Sequence, residues 1–164
     1  MIVFCSLNCV NEKETSTNYK ETLINSGFIK IHLEKETTGH LIIRTKINGR
    51  NSRFILDTGA STTVLSNKLK EELKLASDLS EQVAVGAGNA DIAFGTTKNI
   101  NLEIENILFE DREFVVMNLD YVNNAITEYN GEKIDGIIGA EILIESKAVI
   151  DYSDLILYMK KTTE

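Results

Sequence analysis

Residues 54–61 read Phe54-Ile55-Leu56-Asp57-Thr58-Gly59-Ala60-Ser61. The three large apolar residues predict the end of a buried strand. An acid, a hydroxyl and a glycine follow at once, which is the composition of a tight loop. We expect a carboxylate in this position to be covered, and a covered carboxylate must be paired or hydrogen-bonded to be tolerated. Asp57 is therefore the first candidate for a functional residue.

The overall composition narrows the chemistry that is available to the chain. Its 164 residues, 43% hydrophobic and 26% charged, fit one globular domain with a real core. The formal net charge of -8 argues against nucleic acid or an anionic membrane surface as a partner. The chain has only two histidines and two cysteines. These numbers argue against a Cys-rich zinc site and against a Ser–His or Cys–His catalytic pair. Carboxylates are the groups left to carry any chemistry.

The first 27 residues differ from the rest of the chain. Residues 1–10 are apolar and include Cys5 and Cys9, whereas residues 11–27 are polar. The apolar part has two interpretations, the remnant of a secretory or lipoprotein signal and a frayed end or added strand. The second is favoured by the signal criteria, because no Lys or Arg precedes the stretch and it is short for a signal core. We expect residues 1–27 to form a flexible lead-in to a domain over residues 28–164. The cysteine-containing start favours export to the cell envelope over the cytoplasm.

From Phe28 onward, alternating apolar residues predict an all-β domain with mainly antiparallel strands. Residues 41–47 and 52–56 flank Asn48-Gly49, a pair that tolerates positive φ and favours a hairpin turn. The second strand of this hairpin leads directly into Asp57. Further strands are predicted over residues 28–33, 100–107, 108–117 and 134–139, with a hairpin near 83–95 and a last hairpin over 148–159.

One or two short helices are expected. Ser66 and Asn67 can cap a helix that runs to about Leu75, with leucines on one face and charged residues opposite. A short helical turn is predicted from Ala140 to Glu145. Residues 118–133 are polar and contain Asn-Asn and Asn-Gly pairs, so we expect a surface excursion there.

The stretch from Phe54 to Leu65 resembles the active-site loop of aspartic proteases. Asp-Thr-Gly alone is weak evidence, because such a tripeptide occurs by chance in about one chain in thirty of this length. Two further elements make the match specific: Ile137-Ile138-Gly139 resembles the strand that packs beside this loop, and Gly86-Ala87-Gly88 falls where the family places its substrate-covering flap. A plain turn is the alternative interpretation of the second element.

The resemblance is to the retropepsin-like, single-lobe branch of the family, since the chain has one such loop and about half the length of a two-lobed pepsin. It implies an acid-protease-like closed barrel and a homodimer that hydrolyses peptide or protein substrates, with one catalytic Asp57 from each subunit. Thr58 resembles the residue whose hydroxyl bonds across to the opposite loop, and Gly59 lets backbone approach the carboxylate. Ala60 and Ser61 complete the loop. Neither a cofactor nor a metal is implied.

Departures from the viral pattern point to the bacterial relatives of this family. Ala140 and Ser61 stand where retroviral enzymes carry an Arg and an Asp that form an ion pair, so both partners are missing together. Asp135 lacks a following Thr-Gly or Ser-Gly and is interpreted as a turn residue, not a second catalytic acid. The alternative function is a non-catalytic module that dimerises or binds peptides by strand addition. The intact Asp57-Thr58-Gly59 favours the enzyme, because a binding module has no need of an acid in that loop.

Overall fold

The computed structural model describes residues 12–85 and 91–161. Cys5, Cys9 and the predicted flap tip Gly86-Ala87-Gly88 therefore lie outside the described residues. The described strands, in chain order, are β1 (Phe28–His32), β2 (Glu34–Lys35), β3 (Leu41–Ile47), β4 (Arg50–Leu56), β5 (Val64–Ser66), β6 (Ser77–Val85), β7 (Asp91–Ile104), β8 (Ile107–Met117), β9 (Gly136–Ile138), β10 (Val149–Asp151) and β11 (Ile156–Lys160). The described helices are α1 (Glu12–Asn25), α2 (Asn67–Glu72), α3 (Asp120–Glu128) and α4 (Ala140–Glu145).

The larger sheet closes into a barrel. Its strands follow the order β2-β3-β4-β9-β5-β8-β7-β6, and β7 also pairs with β3, through Lys46 opposite Glu103 and Ile47 opposite Leu102. The closed ring is thus β3-β4-β9-β5-β8-β7. Two pairs, β4–β9 and β5–β8, are parallel, and the other pairs of this sheet are antiparallel. The predicted all-β closed barrel is confirmed.

Strand β4 is buried on both of its faces, which explains its unbroken apolar run. Phe54 and Leu56 point into the main core, whereas Ile55 joins a second cluster together with Ile126 of α3. Successive side chains of a strand point to opposite faces, so a strand covered on both sides needs apolar residues at every position. The predicted hairpin turn before it is also present, with φ of 48° at Asn48 and 83° at Gly49.

Gly136 sets how closely β4, β9 and β5 approach one another. A Cβ added to this residue would lie 2.2 Å from the Phe54 ring and 2.3 Å from the carbonyl oxygen of Val64. Both atoms belong to neighbouring strands, and neither can move without opening the barrel. Glycine is required here by lack of space, because no positive φ occurs at this position.

A second, three-stranded sheet joins the two ends of the described chain. Its order is β1-β11-β10, and both pairs are antiparallel. Helix α1 precedes it, and Lys20 of this helix pairs with Asp151 and Asp154 at the turn between β10 and β11. The predicted last hairpin is confirmed, with the Asp151 carboxylate accepting hydrogen bonds from the amides of Ser153 and Asp154.

The helices include two that the sequence analysis predicted and two that it did not. Helix α2 is capped by Ser66, whose hydroxyl accepts a hydrogen bond from the Leu69 amide, and α4 spans the predicted residues. Residues 12–25, expected as part of a flexible lead-in, are helical, and the prediction of a surface excursion is wrong for residues 120–128, which form α3. In the described part of the chain, no helix combines the length and apolar character needed to span a membrane.

Candidate active site

Strand β4 delivers Asp57 to the end of the barrel. Leu56 is the last residue of this strand and lies beside Ile138 of β9, and the Asp57 amide donates a 3.1 Å hydrogen bond to the Ile138 carbonyl. The parallel pairing of β4 and β9 thus continues by one residue beyond β4. Asp57 is therefore fixed at its backbone by two buried strands.

The loop after Asp57 folds back on the carboxylate. The Gly59 amide donates a 2.8 Å hydrogen bond to Asp57 Oδ1, and the Ala60 amide donates a 3.3 Å bond to the Asp57 carbonyl. A Cβ on residue 59 would lie 3.2 Å from the same carboxylate oxygen, which is a tight contact. Glycine at this position gives the backbone amide close access to the acid, as the sequence analysis predicts.

The Asp57 carboxylate is exposed in the single chain. Asp57, Thr58 and Gly59 are all exposed, whereas the five residues before them are buried. The expectation of a covered acid is wrong for one copy of the chain, because nothing in the described residues extends over the loop. Within the same described residues, the Thr58 hydroxyl makes no hydrogen bond.

The segment from Ile138 to Glu141 holds the other side of the Asp57 loop, which we define as residues 57–63. The Ala140 amide donates to the Ala60 carbonyl at 2.7 Å, and the Gly139 amide donates to the Thr63 hydroxyl at 3.1 Å. The Thr63 amide in turn donates to Glu141 Oε1 at 2.6 Å. Ile137, Ile138 and Gly139 thus lie beside the loop, as the sequence analysis expects.

Sequence reasoning missed the two side chains that make these contacts, Thr63 and Glu141. Thr63 is fully buried, although it stands in a polar-looking Ser-Thr-Thr run. The one available signal was an acid in the first turn of a short helix, a common and unspecific feature. The ion pair of the viral enzymes is absent, and the Ala140 backbone bonds the loop directly instead.

An apolar depression of about 300 Å³ adjoins the Asp57 loop. Ile144 within it is 75% exposed, which is unusual for a large aliphatic side chain in a helix of an otherwise well-buried core. We call this surface the apolar face, and its residues are Thr58, Ala140, Leu143, Ile144, Lys147, Ala148 and Ile150.

Asp135 lies beside Arg53, which is in the middle of β4 and four residues before Asp57, and its contacts are structural. Its carboxylate accepts a 2.9 Å hydrogen bond from the Arg53 amide and pairs with the Arg50 guanidinium at 3.2 Å. The Arg53 guanidinium pairs with Glu36, and the two side chains are 8% and 9% exposed. This hydrogen-bonded guanidinium holds the pKa of the Glu36 carboxyl below its ordinary range. The interpretation of Asp135 as a residue outside the catalytic site agrees with this placement.

The hairpin that carries the predicted flap is present up to its tip. Strands β6 and β7 pair antiparallel, with Val85 opposite Asp91 as the last pair. The predicted flap tip Gly86-Ala87-Gly88 falls within residues 86–90, which lie outside the described part of the chain. Among the residues that the structure describes, no three His, Cys, Asp or Glu side chains form a group that could hold a metal ion.

Residues 43–142, more than half of the chain, match the family model described as aspartyl protease. The chain belongs to the aspartyl protease family. The matched stretch runs from the first long strand of the barrel to helix α4, so it contains the Asp57 loop and the strand that packs beside it. A comparison with curated protein sequences finds no match.

Solved structures of retropepsin-like proteases share the fold of this family member. A retropepsin-like aspartic protease from Rickettsia conorii has 21% identity and a TM-score of 0.50, over 84% of this chain and 94% of that one. EIAV protease in complex with the inhibitor HBY-793 has 18% identity and a TM-score of 0.52, over 72% and 98%. The retroviral protease-like domain of Ddi1 from Leishmania major has 20% identity and a TM-score of 0.52, over 75% and 90%. At these identities, the similarity is one of fold.

Proposed function

We propose that this chain is an aspartic endopeptidase that works as a homodimer, with Asp57 of each copy forming the catalytic dyad. The observation that carries the proposal is the exposed Asp57 at the end of a doubly buried strand. In the described residues, its carboxylate has one bonding partner, the Gly59 amide, and no hydrogen bond links it to a second carboxylate.

The chemistry requires two carboxylates that share one proton around a bound water. One carboxylate takes a proton from the water as general base, and the protonated partner donates a hydrogen bond to the carbonyl oxygen of the substrate. Two carboxyl groups about 3 Å apart cannot both be ionised cheaply, so they titrate as a coupled pair. A second copy related by a two-fold axis supplies the missing acid from the same position.

The apolar face supports the placement of the second copy next to Asp57. It begins at Thr58 of the loop and continues through α4 to Ala148 and Ile150. Removal of exposed aliphatic area from water contributes about 25 cal/mol per Å², from which the entropy cost of association is subtracted. The Thr58 hydroxyl at one end of this face, which makes no hydrogen bond within the described ranges, is available to a partner loop.

The edge of strand β10 extends the same surface. Among the described strands, in the order β1-β11-β10, β10 has a neighbour on one side only, and its residue Ile150 belongs to the apolar face. A short open edge is a template for pairing with another strand. Two copies that meet around a two-fold axis at β10 would form one continuous six-stranded sheet.

The substrate we propose is an extended peptide or unfolded protein segment that lies across the dyad beneath the β6–β7 hairpin. The negative net charge disfavours nucleic acid, and the hydrolysis described above uses only the two carboxylates and water. We assign Gly86, Ala87 and Gly88 to the tip that covers the substrate.

The test is proteolysis of an unfolded protein at acid and neutral pH by the wild type and by Asp57→Asn. The wild type is expected to cleave, and a statine-type transition-state mimic is expected to inhibit it. Equal cleavage by the two proteins would overturn the assignment of Asp57. Peptide binding without cleavage by the wild type would identify the chain as a non-catalytic binding module.

The homodimer is tested by sedimentation. A dimer is expected at micromolar concentration, and the mimic is expected to increase its fraction. A protein that stays monomeric with the mimic bound would contradict a dyad built from two copies.

A further inference from the structure

We infer that Glu141 is a positioning residue of the active site, which fixes the far end of the Asp57 loop through the Thr63 amide. This inference rests on the proposed function for its catalytic consequence. Its structural part concerns a single hydrogen bond and can be measured without any activity.

The bond between Glu141 and Thr63 depends on the identity of a side chain, unlike two backbone contacts beside it. The bonds from Asp57 to Ile138 and from Ala140 to Ala60 join backbone atoms, so most residue types would preserve them. The Thr63 amide instead donates to a carboxylate oxygen at 2.6 Å. A bond with one charged partner is stronger than a neutral one, and it depends entirely on the residue at position 141.

Burial makes this acceptor necessary. Thr63 is fully buried, so water cannot replace the carboxylate as the partner of its amide. The Thr63 hydroxyl is already bonded to the Gly139 amide, and the Thr63 carbonyl accepts from Val115 of β8. Each polar group of Thr63 thus has one partner, and Glu141 is the partner that a mutation can remove.

The space for the Glu141 carboxylate is created by Gly139. A Cβ on residue 139 would lie 2.5 Å from Glu141 Oε2 and 2.4 Å from the Thr62 carbonyl carbon. The Glu141 Oε2 atom is buried and has no hydrogen-bond partner among the described residues. Gly139 and Glu141 therefore form one fitted unit around the end of the loop.

The consequence for catalysis follows from the geometry of the loop. Asp57 begins the loop and Thr63 ends it, and the carboxylate is oriented by the Gly59 amide between these two fixed points. A misplacement of about 1 Å of a reacting group can cost about 100-fold in rate. Release of the Thr63 end therefore lowers the rate of the chemical step more than it lowers substrate binding.

The test compares Glu141→Gln, Glu141→Asp and Glu141→Met with Glu145→Met as the matched control. Gln keeps an oxygen at the Thr63 amide, Asp withdraws it by about one carbon–carbon bond, ~1.5 Å, and Met removes it while keeping the length of the side chain. Glu145 lies one turn later on α4 and pairs with Arg112, away from the loop.

The kinetic readout is kcat per active site, with active sites titrated by a tight transition-state mimic. We expect a fall of about 10- to 100-fold for Met, a smaller fall for Asp, and a change below about 3-fold for Gln and for the control, with KM changed less than kcat. A purely structural role would lower the number of titrated sites and leave kcat per site unchanged. That result would overturn the inference. If Glu141→Met does not fold, the same comparison of kcat per active site is made between Glu141→Asp and Glu141→Gln.

Hydrogen exchange of the Thr63 amide separates this inference from the proposed function. The amide is expected to exchange slowly in the wild type and in Glu141→Gln, and faster in Glu141→Asp and Glu141→Met. If the wild type shows no Asp57-dependent cleavage, the proposed function fails. The order of the Thr63 amide exchange rates still tests the hydrogen bond between Glu141 and Thr63. Equal exchange in all four proteins would show that Glu141 does not hold the loop.

Discussion

Beside the middle of strand β4, the Asp135 carboxylate accepts a bond from the Arg53 amide and pairs with Arg50. At the end of the same strand, the Asp57 carboxylate is exposed and, among the described residues, is bonded only to the Gly59 amide. The Asp135 side chain is 24% exposed. The two acids lie four residues' length apart along one strand, yet of the two only Asp135 is paired with a cation within residues 12–85 and 91–161.

This difference separates what folds the chain from what the folded chain can do. The acid with partners in its own chain stabilises the fold, because removal of one member of a paired set leaves the other members unpaired. Asp57, which among the described residues is bonded only to the Gly59 amide, contributes little to stability and keeps lone pairs free for a water, a substrate or a second copy. Stability and activity should therefore respond to different substitutions.

The largest expected effect is on activity. Asp57→Asn should lower the cleavage rate by at least about 1,000-fold, because an amide cannot act as general base. The same substitution should change the free energy of unfolding by less than about 0.5 kcal/mol, since the residue is exposed. The measurements are cleavage rate and urea unfolding. Asp135→Asn is the matched substitution, for which we expect a loss of about 1–3 kcal/mol of stability and an unchanged rate per folded molecule. The reverse pattern would contradict the distinction drawn between the two acids.

The next effect is on stability, at Arg53 in the middle of β4. Arg53→Met should lower the free energy of unfolding by about 3–5 kcal/mol, because it leaves the Glu36 carboxylate buried without its partner. Chemical denaturation of the double variant Arg53→Met, Glu36→Gln provides the control, since removal of both charges should restore part of the loss. Equal stability of the single and the double variant would show that the pair is not coupled.

A smaller effect is expected on association at the apolar face. Ile144→Asp should raise the dissociation constant of the dimer by about 30-fold, or ~2 kcal/mol, because a charge replaces an exposed aliphatic contact at the proposed interface. Sedimentation measures the dissociation constant, and thermal unfolding of the monomer checks that the substitution leaves the fold of the single chain intact. Tyr121→Asp is the control on α3, where the side chain is 88% exposed and outside the apolar face. Equal weakening by both variants would place the interface elsewhere.

The smallest expected effect is on the pH dependence of stability. The Arg53 guanidinium lowers the pKa of Glu36 from its ordinary value of 4.5 in the folded chain, so the folded state binds this proton less readily than the unfolded state. The contribution of Glu36 is therefore present above its unfolded pKa and lost as the pH falls through the lower folded pKa. Unfolding at a series of pH values should show a steeper acid loss for the wild type than for Glu36→Gln. Identical slopes would refute the assignment.

The sequence predicted those elements whose residues carry a local signal. The hairpin before Asp57 has a turn pair with positive φ, helix α2 has a serine cap, and the apolar run of β4 has no polar residue to interrupt it. These features act within a few residues of one another. The loop, its strand and its packing segment could therefore be placed from the sequence.

Helix α3 could not be predicted because its decisive contact is long-range. Asn123 is 9% exposed. Its side-chain nitrogen donates to the Ile134 carbonyl, and its side-chain oxygen accepts from the Ile134 backbone amide. In the sequence, Asn123-Asn124 is typical of a loop, since asparagine usually satisfies its own neighbouring backbone. Here a distant backbone segment uses the side chain, and Ile126 on the same helix covers the outer face of β4.

The exposure of Asp57 was missed for a related reason. The apolar run before it correctly predicts burial of the strand, but the burial of the next residue depends on what lies beyond the barrel end. The residues next to Asp57 in the sequence carry no local signal for what lies there. The Glu141–Thr63 bond was missed because an acid 78 residues along the chain from its partner leaves no periodic signal.

Gly136 and Gly139 stand three residues apart in the stretch Gly136-Ile137-Ile138-Gly139, and both are required by lack of space. The first lets three strands meet, and the second leaves room for the Glu141 carboxylate. A diverged relative can thus be recognised by two glycines at this spacing with an acid two positions after the second, downstream of an Asp-Thr-Gly. In such a relative, a larger residue at the second glycine should be accompanied by loss of the acid, so this pair should be inherited or lost together.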